Sequence, residues 1–214
     1  MRKQEKRTSR ILNIIKEHVY KNLKQYLIVS IFFLIGIIAG VIFVNYAEIQ
    51  TKQQIGSYIT TFIDCLKTDY QIDSINLLKS IIGNHIVFVL LLWFMGCTII
   101  GIPIVYILIT FKGFSLGYTI SSIIFTLGTG KGILFSIITL LLQNLITIPA
   151  ILALAVSGMK LYQSMMKDKR KENIKVEMIR HTIFSVFIAF ILMISAFVEV
   201  YLSNSLLTLC ISFF

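Results

Sequence analysis

Charged residues are scarce in this chain of 214 residues: only 14% are Asp, Glu, Lys or Arg, whereas 57% are hydrophobic. So little charge leaves little material for a soluble domain of this size. Proline is equally scarce, with two residues, so proline-rich linkers are excluded. The three cysteines form no C-x-x-C pair and lack the spacing of metal ligands. These absences indicate that lipid, rather than water, surrounds most of the chain.

Five stretches are almost uncharged and rich in Leu, Ile, Val and Phe. A bilayer core of about 30 Å needs roughly 20 apolar residues in a helix. The sequence therefore predicts an all-α polytopic membrane protein, with five transmembrane helices in a single membrane domain over residues 1–214. The third helix is short and would need local thinning of the bilayer or shelter between longer neighbours. The predicted spans are residues 27–44, 86–109, 114–127, 133–159 and 182–202.

The basic residues predict the orientation of these helices. Eight of the twenty Lys and Arg residues precede Tyr26, and seven lie between Lys160 and Arg180. Such clusters mark the cytoplasmic side, so an even number of spans must separate them. This parity requires residues 114–127 to cross the membrane. The sequence thus predicts the N-terminus, segment 1–26 and loop 160–180 inside, and loop 45–84 and the C-terminus outside.

Two segments outside the spans have helical patterns. Ser9–Lys24 has one apolar and one basic face, which is typical of a helix on the inner membrane surface, with partner binding as the alternative. In the outer loop, apolar residues from Ile55 to Leu66 recur at helical spacing, and Asp73 and Ser74 indicate the start of a second helix. In this topology Cys65 and Cys210 face the same side, which leaves a disulfide between them open.

Small residues form two G-x-x-x-G motifs, Gly36 with Gly40 and Gly113 with Gly117. This spacing allows two helices to approach closely in lipid. The partner helix belongs either to this same chain or to another protein, and we expect packing within the chain to be the more common case.

Polar and helix-breaking residues interrupt the apolar runs at a few positions. Gln143 and Asn144 lie in the fourth predicted span, and amides in hydrocarbon need partners on another helix. Pro149 and Pro103, the latter following Gly101, are expected to break their helices. This pattern weakly resembles the polar midplane of a transporter, and structural hydrogen bonding is the alternative.

Glu199 is the one carboxylate that adjoins the apolar part of the fifth span. An acid within the membrane is a candidate functional residue, although near a helix end it could instead reach the lipid headgroups. Both interpretations stay open.

Several kinds of chemistry are excluded by their motifs. The segment Gly128–Gly132 lacks the spacing of a phosphate-binding P-loop. His18, His85 and His181 lie in separate segments without paired metal ligands. The basic clusters flank spans, which does not indicate nucleic-acid binding. We therefore expect no catalytic site, no metal, no cofactor and no nucleic-acid partner.

Read in order, these features resemble stage II sporulation protein M of endospore-forming bacteria over nearly the whole chain. The most specific match is Gly101–Tyr118, followed by Gln143–Ala150 and Val198–Ser203. Members of that family often carry proline before the Gln-Asn pair and after the Ser near the last span, where this chain has Leu142 and Asn204.

The resemblance implies a non-enzymatic membrane scaffold at the sporulation septum. Such a protein would recruit and stabilise stage II sporulation proteins D and P, which degrade septal peptidoglycan during engulfment of the forespore. A docking site for a partner's membrane anchor at Gly36/Gly40 or Gly113/Gly117 would fit this function. The alternative from another class is a small membrane transporter or channel that uses Gln143, Asn144 and Glu199.

The predicted orientation can be tested with a reporter fused after Met159. We expect this reporter to be active only in the cytoplasm, because four crossings return the chain to the side of the basic N-terminal segment. Reporter activity outside the cell would contradict the topology.

Overall fold

Long helices dominate the computed structural model, which describes residues 20, 22–67, 74–98, 100–167 and 171–203. The described residues contain no strand. Five helices are long and apolar enough to cross a membrane, so the prediction of an all-α protein with five such helices is confirmed. The predicted helix Ser9–Lys24, apart from its C-terminal end, and the residues from Asn204 onward, including Cys210, lie outside the described residues. The helices are α1 (Leu23–Tyr46), α2 (Ile49–Lys67), α3 (Ser74–Gly96), α4 (Gly101–Leu127), α5 (Thr129–Ser136), α6 (Leu142–Lys167) and α7 (Lys171–Phe197), and two π-helical segments are π1 (Ile137–Leu141) and π2 (Val198–Ser203).

The most extensive contact is between α1 and α4. Gly36 and Gly40 of α1 face Gly113 and Gly117 of α4, and all four glycines are buried. A Cβ on Gly36 would overlap the carbonyl oxygen of Thr110, and each of the other three would likewise meet a carbonyl oxygen of the opposite helix. The two backbones therefore touch, which the G-x-x-x-G spacing permits in lipid.

Aromatic rings extend this contact along both helices. Phe32 stacks on Tyr106 with ring centroids 4.5 Å apart, and Phe43 meets Phe114 edge-on at 5.7 Å. Aromatic pairs in these geometries add about 0.5–1.5 kcal/mol to the burial of their surfaces. They compensate for the small contact area of the glycines.

The remaining spans pack around a shared apolar core. It combines side chains of α1, α3, α4, α6 and α7, and residues at its centre are essentially inaccessible to solvent. The opposite faces carry exposed Ile, Leu and Phe side chains, which is the pattern expected of helices surrounded by lipid. The fully buried core residues include Val29, Leu92, Ile109, Leu154 and Leu192.

The chain turns between Gly96, where α3 ends, and Gly101, where α4 begins, not at 111–113 as the sequence predicted. The predicted spans 86–109 and 114–127 are therefore wrong in their boundaries, because α4 continues through Lys112 and Gly113. A hydrogen bond stabilises this turn: the backbone N–H of Gly101 donates to the backbone carbonyl oxygen of Thr98 at 3.2 Å. A Cβ on Gly101 would overlap the carbonyl oxygen of Met95, so this position requires glycine. Its neighbour Pro103 lies in the first turn of α4 and begins the helix instead of breaking it.

The segment between the first two spanning helices is shorter than the outer loop predicted at 45–84, because the second of these helices, α3, already begins at Ser74. The amphipathic helix anticipated around Ile55–Leu66 is present as α2, and α3 begins at Ser74 as expected. However, α3 runs straight through the polar residues Asn76, Lys79 and Asn84 into the predicted span. These residues end the apolar run of the sequence but do not end the helix, since none of them interrupts backbone hydrogen bonding.

The predicted fourth span, 133–159, corresponds to three consecutive segments: α5, π1 and α6. Gly128, with a φ of 80°, ends α4 and reverses the chain into α5. Gly132 then packs against the backbone of Ile124, which closes the hairpin. α6 continues through Pro149, and α7 begins eleven residues before the predicted span 182–202 and leads into π2.

Substitution of Gly113 tests the contact between α1 and α4. Gly113→Ala should lower the free energy of unfolding in detergent by roughly 1–3 kcal/mol, because the added methyl group would overlap the Phe33 carbonyl oxygen and push the helices apart. Thermal unfolding followed by circular dichroism measures the change. Gly56→Ala and Gly83→Ala are matched controls, since nothing lies within 4 Å of a Cβ at these positions. A Gly113→Ala variant as stable as these controls would contradict the observed packing.

Candidate functional site

Lys112 lies near the middle of α4, a helix long enough to span the membrane. Its side chain is half-buried, and its Nζ lies 5.8 Å from the ring centroid of Phe88 on α3. It interacts electrostatically with two ionisable side chains, His85 of α3 and Glu199 of π2. A lysine within the membrane is thus surrounded by protein groups rather than by lipid alone.

Glu199 accepts hydrogen bonds from Gln143 at the start of α6. The side-chain amide of Gln143 is oriented with its nitrogen towards the carboxylate, because the opposite orientation would place oxygen against oxygen. The Gln143 Nε2 then lies 3.0 Å from Oε1 and 3.2 Å from Oε2 of Glu199. Both carboxylate oxygens therefore receive a donor within hydrogen-bonding distance. We call His85, Lys112, Gln143 and Glu199 the polar cluster.

A chain of buried hydroxyl groups joins the same helices next to the polar cluster. The Ser195 Oγ of α7 donates to the Gln143 carbonyl oxygen at 3.2 Å. The Thr147 hydroxyl of α6 lies 2.8 Å from Ser195 Oγ and therefore serves as its donor. Both side chains are almost completely buried. The backbone of Gln143 is thus held to α7 while its side chain is held to π2.

The electrostatics of the polar cluster follow from its surroundings. A single charged side chain at the centre of a spanning helix costs about 2.5–3.5 kcal/mol on insertion scales. Lys112 and Glu199 carry opposite formal charges, so bringing them together offsets part of that cost. Because the lysine and the acid lie far apart in sequence, the offset depends on the folded bundle, which links these charges to the assembled fold.

Both π-helical segments lie beside the polar cluster. π1 ends two residues before Gln143, π2 contains Glu199, and the two segments contact each other. π-helical turns are rare in proteins and occur frequently at functional sites. Here they change the helical register where the amide and the carboxylate meet.

Of the candidate residues predicted from the sequence, the structure brings Gln143 and Glu199 together. Asn144, next to Gln143, donates instead to the Leu140 carbonyl oxygen of its own turn at 2.8 Å. Asn144 and Pro149 both line an apolar groove of about 420 Å³ between α4 and the α5–π1–α6 segment. Gly101 and Pro103 form the turn before α4 and lie apart from the polar cluster.

The four motif glycines pack against each other within one chain. The sequence had left open a groove at Gly36/Gly40 or Gly113/Gly117 for the anchor of another protein. That groove is filled, because α1 and α4 occupy each other's glycine faces. The structure therefore uses these glycines for packing within the chain, which is the case that the sequence analysis expects to be the more common.

Sequence reasoning missed two members of the polar cluster, His85 and Lys112. The predicted spans end before Lys112 and resume after it, because it interrupts two apolar runs, and His85 precedes the predicted span 86–109. The available signal was the rarity of charge: Lys112 is the one Lys or Arg between residues 80 and 130. A single cation in such a long apolar region is itself typical of a functional or paired position.

A second polar group lies at the opposite end of the bundle. The imidazole Nδ1 of His181 is 2.9 Å from Ser157 Oγ, and Trp93 Nε1 donates to Thr182 Oγ1 at 3.1 Å. The buried His181 ring lies against Gly96, where a Cβ would approach its Nε2 to 2.8 Å. Glycine at this position makes room for the ring. Among the described residues, no group of three or more His, Cys, Asp or Glu side chains could hold a metal ion.

The role of Gln143 can be separated from that of its neighbour. Gln143→Leu should lower the free energy of unfolding in detergent more than Asn144→Leu, by roughly 1–2 kcal/mol, because it removes the donors of the Glu199 carboxylate. Asn144 bonds only within its own turn, so it is a matched control of the same size class. Equal losses for the two variants would contradict the Gln143–Glu199 contact.

Comparison with known families gives a match over most of the chain. Residues 29–204 match the SpoIIM family, which is described as stage II sporulation protein M. The match covers all five spans apart from the first residues of α1. Comparison with curated proteins and with solved structures gives no match. The family match extends over well more than half of the chain and includes every residue of the polar cluster. The chain therefore belongs to the stage II sporulation protein M family, as a multi-pass membrane protein of sporulation.

Proposed function

We propose that this protein is a non-enzymatic scaffold that recruits and stabilises septal peptidoglycan-degrading enzymes during septum thinning and engulfment. Membership of the stage II sporulation protein M family supports this function. The resemblance names stage II sporulation proteins D and P as the partners. The scaffold would act at the sporulation septum and in the engulfing membrane of the mother cell.

One structural observation carries the proposal: α2 is a helix outside the spans that is fixed to the end of the bundle. Ile55 and Ile63 of α2 are buried, and Ile59 packs against a small core formed by Ile123 and Phe135. This apolar face gives α2 a defined place on the bundle rather than leaving it as a loop.

A lysine adds to this attachment. The Lys52 Nζ lies 5.7 Å from the ring centroid of Phe125 on α4, and it donates to the Asn45 carbonyl oxygen at 2.7 Å. Cation–π contacts at partly exposed sites contribute about 0.5–1 kcal/mol. Lys52 thus joins the start of α2 both to the end of α1 and to α4. A helix held in this way presents a fixed surface to a bound protein.

The opposite side of α2 is exposed, and we call Gln54, Tyr58, Thr61 and Phe62 its outer face. Tyr58 is 79% exposed and Phe62 is 46% exposed. Amides and hydroxyls beside the aromatic rings distinguish this face from the purely apolar lipid-facing surfaces of the spans. Aromatic side chains with a polar rim are typical of protein interfaces. In the predicted topology, this face lies on the side of the membrane where peptidoglycan and its hydrolases are found.

Capture of the hydrolases tests the outer face of α2. Tyr58→Ala combined with Phe62→Ala should reduce co-purification of the two hydrolases from sporulating cells by roughly tenfold or more, since interface aromatics each contribute over 1 kcal/mol. Phe187→Ala combined with Phe190→Ala is the matched control, because it removes exposed aromatic rings from a membrane span. Membrane abundance of each variant is measured in parallel. Equal capture by both double variants at equal abundance would contradict the proposal.

A second candidate function is a small transporter or channel, which the position of Lys112 in the middle of a spanning helix and the Gln143–Glu199 contact favour. Spanning helices with ionisable groups in their interior are common in transport proteins. Ion or solute flux in proteoliposomes that contain the purified protein alone distinguishes the two functions, because a scaffold needs its partners and a transporter does not.

A further inference from the structure

We propose that the apolar groove between α4 and the α5–π1–α6 segment, together with the first turn of α5, binds one anionic glycerophospholipid. The phosphate of this lipid lies at the start of α5, and one acyl chain fills the groove. The proposal concerns a surface of the membrane domain and does not depend on the scaffold function of α2.

The groove has the size and length of a lipid chain. Its volume is about 420 Å³, within the range of about 300–1,000 Å³ that is typical of small-molecule sites. On α4 its lining extends from Leu116 to Ile124, roughly 12 Å along the helix axis, and on the opposite wall it extends from Ile133 to Pro149, roughly 24 Å. Both lengths are shorter than the hydrocarbon core of about 30 Å. The groove therefore fits a chain from one leaflet better than a helix that crosses both leaflets.

One end of the groove lies at the turn where α4 passes into α5. Gly132 packs against the backbone of Ile124, and Ile124 and Ile133 both line the groove. α5 begins after Gly128, which has no side chain to cap the helix. The first N–H groups of a helix have no acceptor inside the helix and, together with the helix dipole, they favour a phosphate. The groove thus begins beside a group of donors suited to a phosphate.

Two lysines add positive charge at this end. Lys131 is an exposed residue in the first turn of α5. The Nζ of Lys52 lies 5.7 Å from the ring centroid of Phe125, which is the neighbour of the groove residue Ile124. Neither α4 nor α5 contains an acidic residue. Basic residues at a membrane surface attract anionic lipids, so these charges favour an anionic headgroup over a zwitterionic one.

Ser136 is an independent indication of a ligand. It lines the groove and is only 6% exposed, and its Oγ has no hydrogen-bond partner among the residues that the structure describes. Helical hydroxyl groups in lipid can bond to a carbonyl oxygen one turn earlier, as Thr139 does with Phe135 at 2.7 Å. A buried hydroxyl group without a partner destabilises the structure, and an acceptor on a bound ligand removes that cost.

The order of these groups along α5 matches the order of groups in a glycerophospholipid. Ser136 follows Gly130 by six residues, roughly 9 Å along the helix axis, and its side chain points back towards the first turn. In the lipid, an ester carbonyl follows the phosphate by one glycerol unit, and the acyl chain follows the ester. The site offers phosphate donors first, one hydroxyl donor next and apolar walls last. A free phosphate would leave the groove and the hydroxyl group unused.

Lipid retention by the full chain tests the proposal. Native mass spectrometry of the protein, released from phosphatidylcholine nanodiscs with a minor fraction of phosphatidylglycerol, should show one retained phosphatidylglycerol. Ile137→Trp places a large ring in the groove and should lower retention about tenfold or more, because excluding even two methylene groups costs about that much. Ile183→Trp is the matched control, since it changes an exposed isoleucine of α7.

Two further variants separate the ester from the headgroup. Ser136→Ala should weaken retention of phosphatidylglycerol about threefold or more but leave its ether-linked analogue unaffected, because the analogue lacks the carbonyl acceptor. Lys131→Gln should lower the preference for phosphatidylglycerol over phosphatidylcholine about fivefold. Lys79→Gln, which removes an exposed lysine of α3, should leave that preference unchanged.

Photolabelling of the unsubstituted protein keeps the test independent of variants that fail to fold. Phosphatidylglycerol with a photoreactive acyl chain should label peptides between Ile133 and Ile148 in preference to the exposed faces of α1 and α7. Even labelling of all five spans would overturn the proposal, as would equal retention by Ile137→Trp and Ile183→Trp. Retention of phosphatidylcholine as strongly as phosphatidylglycerol, or a polypeptide cross-linked in the groove in place of lipid, would also contradict it.

Discussion

Direct backbone contact between α1 and α4 is the constraint on which the rest of the structure depends. The glycine faces fix the rotation and the depth of α4 relative to α1, because a methyl group at any of the four positions would overlap a carbonyl oxygen. Lys112 immediately precedes Gly113, so this register also decides where the lysine lies. It places the lysine against Phe88 and within electrostatic range of Glu199. The packing of small residues therefore determines the position of the charge.

Lys112 in turn helps to explain how the helices that do not pack closely on α1 are arranged. A lysine within a spanning helix needs compensation. Glu199 of π2, which follows α7, is the oppositely charged group within electrostatic range, and Gln143 of α6 donates to its carboxylate. The hydroxyl pair Thr147 and Ser195 adds a neutral contact between α6 and α7 at the same place. Apolar side chains fill the core but are interchangeable with lipid, so they do not by themselves select one arrangement of five helices. Polar contacts supply that selectivity.

The sequence predicted the helix class, the five spans, α2 and the start of α3, because hydropathy and helical periodicity are local properties. It misplaced the turn between α3 and α4, since Lys112 and Gly113 together look like a break when read alone. In the structure the lysine lies over the ring of Phe88 and the glycine is covered by Phe33, and neither partner lies nearby in sequence. The π-helical segments and the contact of Lys112 with Phe88 were also beyond reach, because both arise only from the packing of distant segments. Gln143 and Asn144 show the limit of prediction from sequence: these two adjacent amides have the same chemistry but bind different partners.

The central claim is that the glycine faces of α1 and α4 are joined within one chain, which leaves other surfaces for partners. Cross-linking tests this most directly, because the rings of Phe32 and Tyr106 stack at 4.5 Å. Cysteines at these two positions, in a chain whose three native cysteines are replaced, would be treated in membranes with a short thiol-reactive cross-linker. The account predicts a cross-linked product of single-chain mass that migrates faster under denaturing conditions. Cross-linked dimers, or adducts with another protein in place of that product, would contradict it.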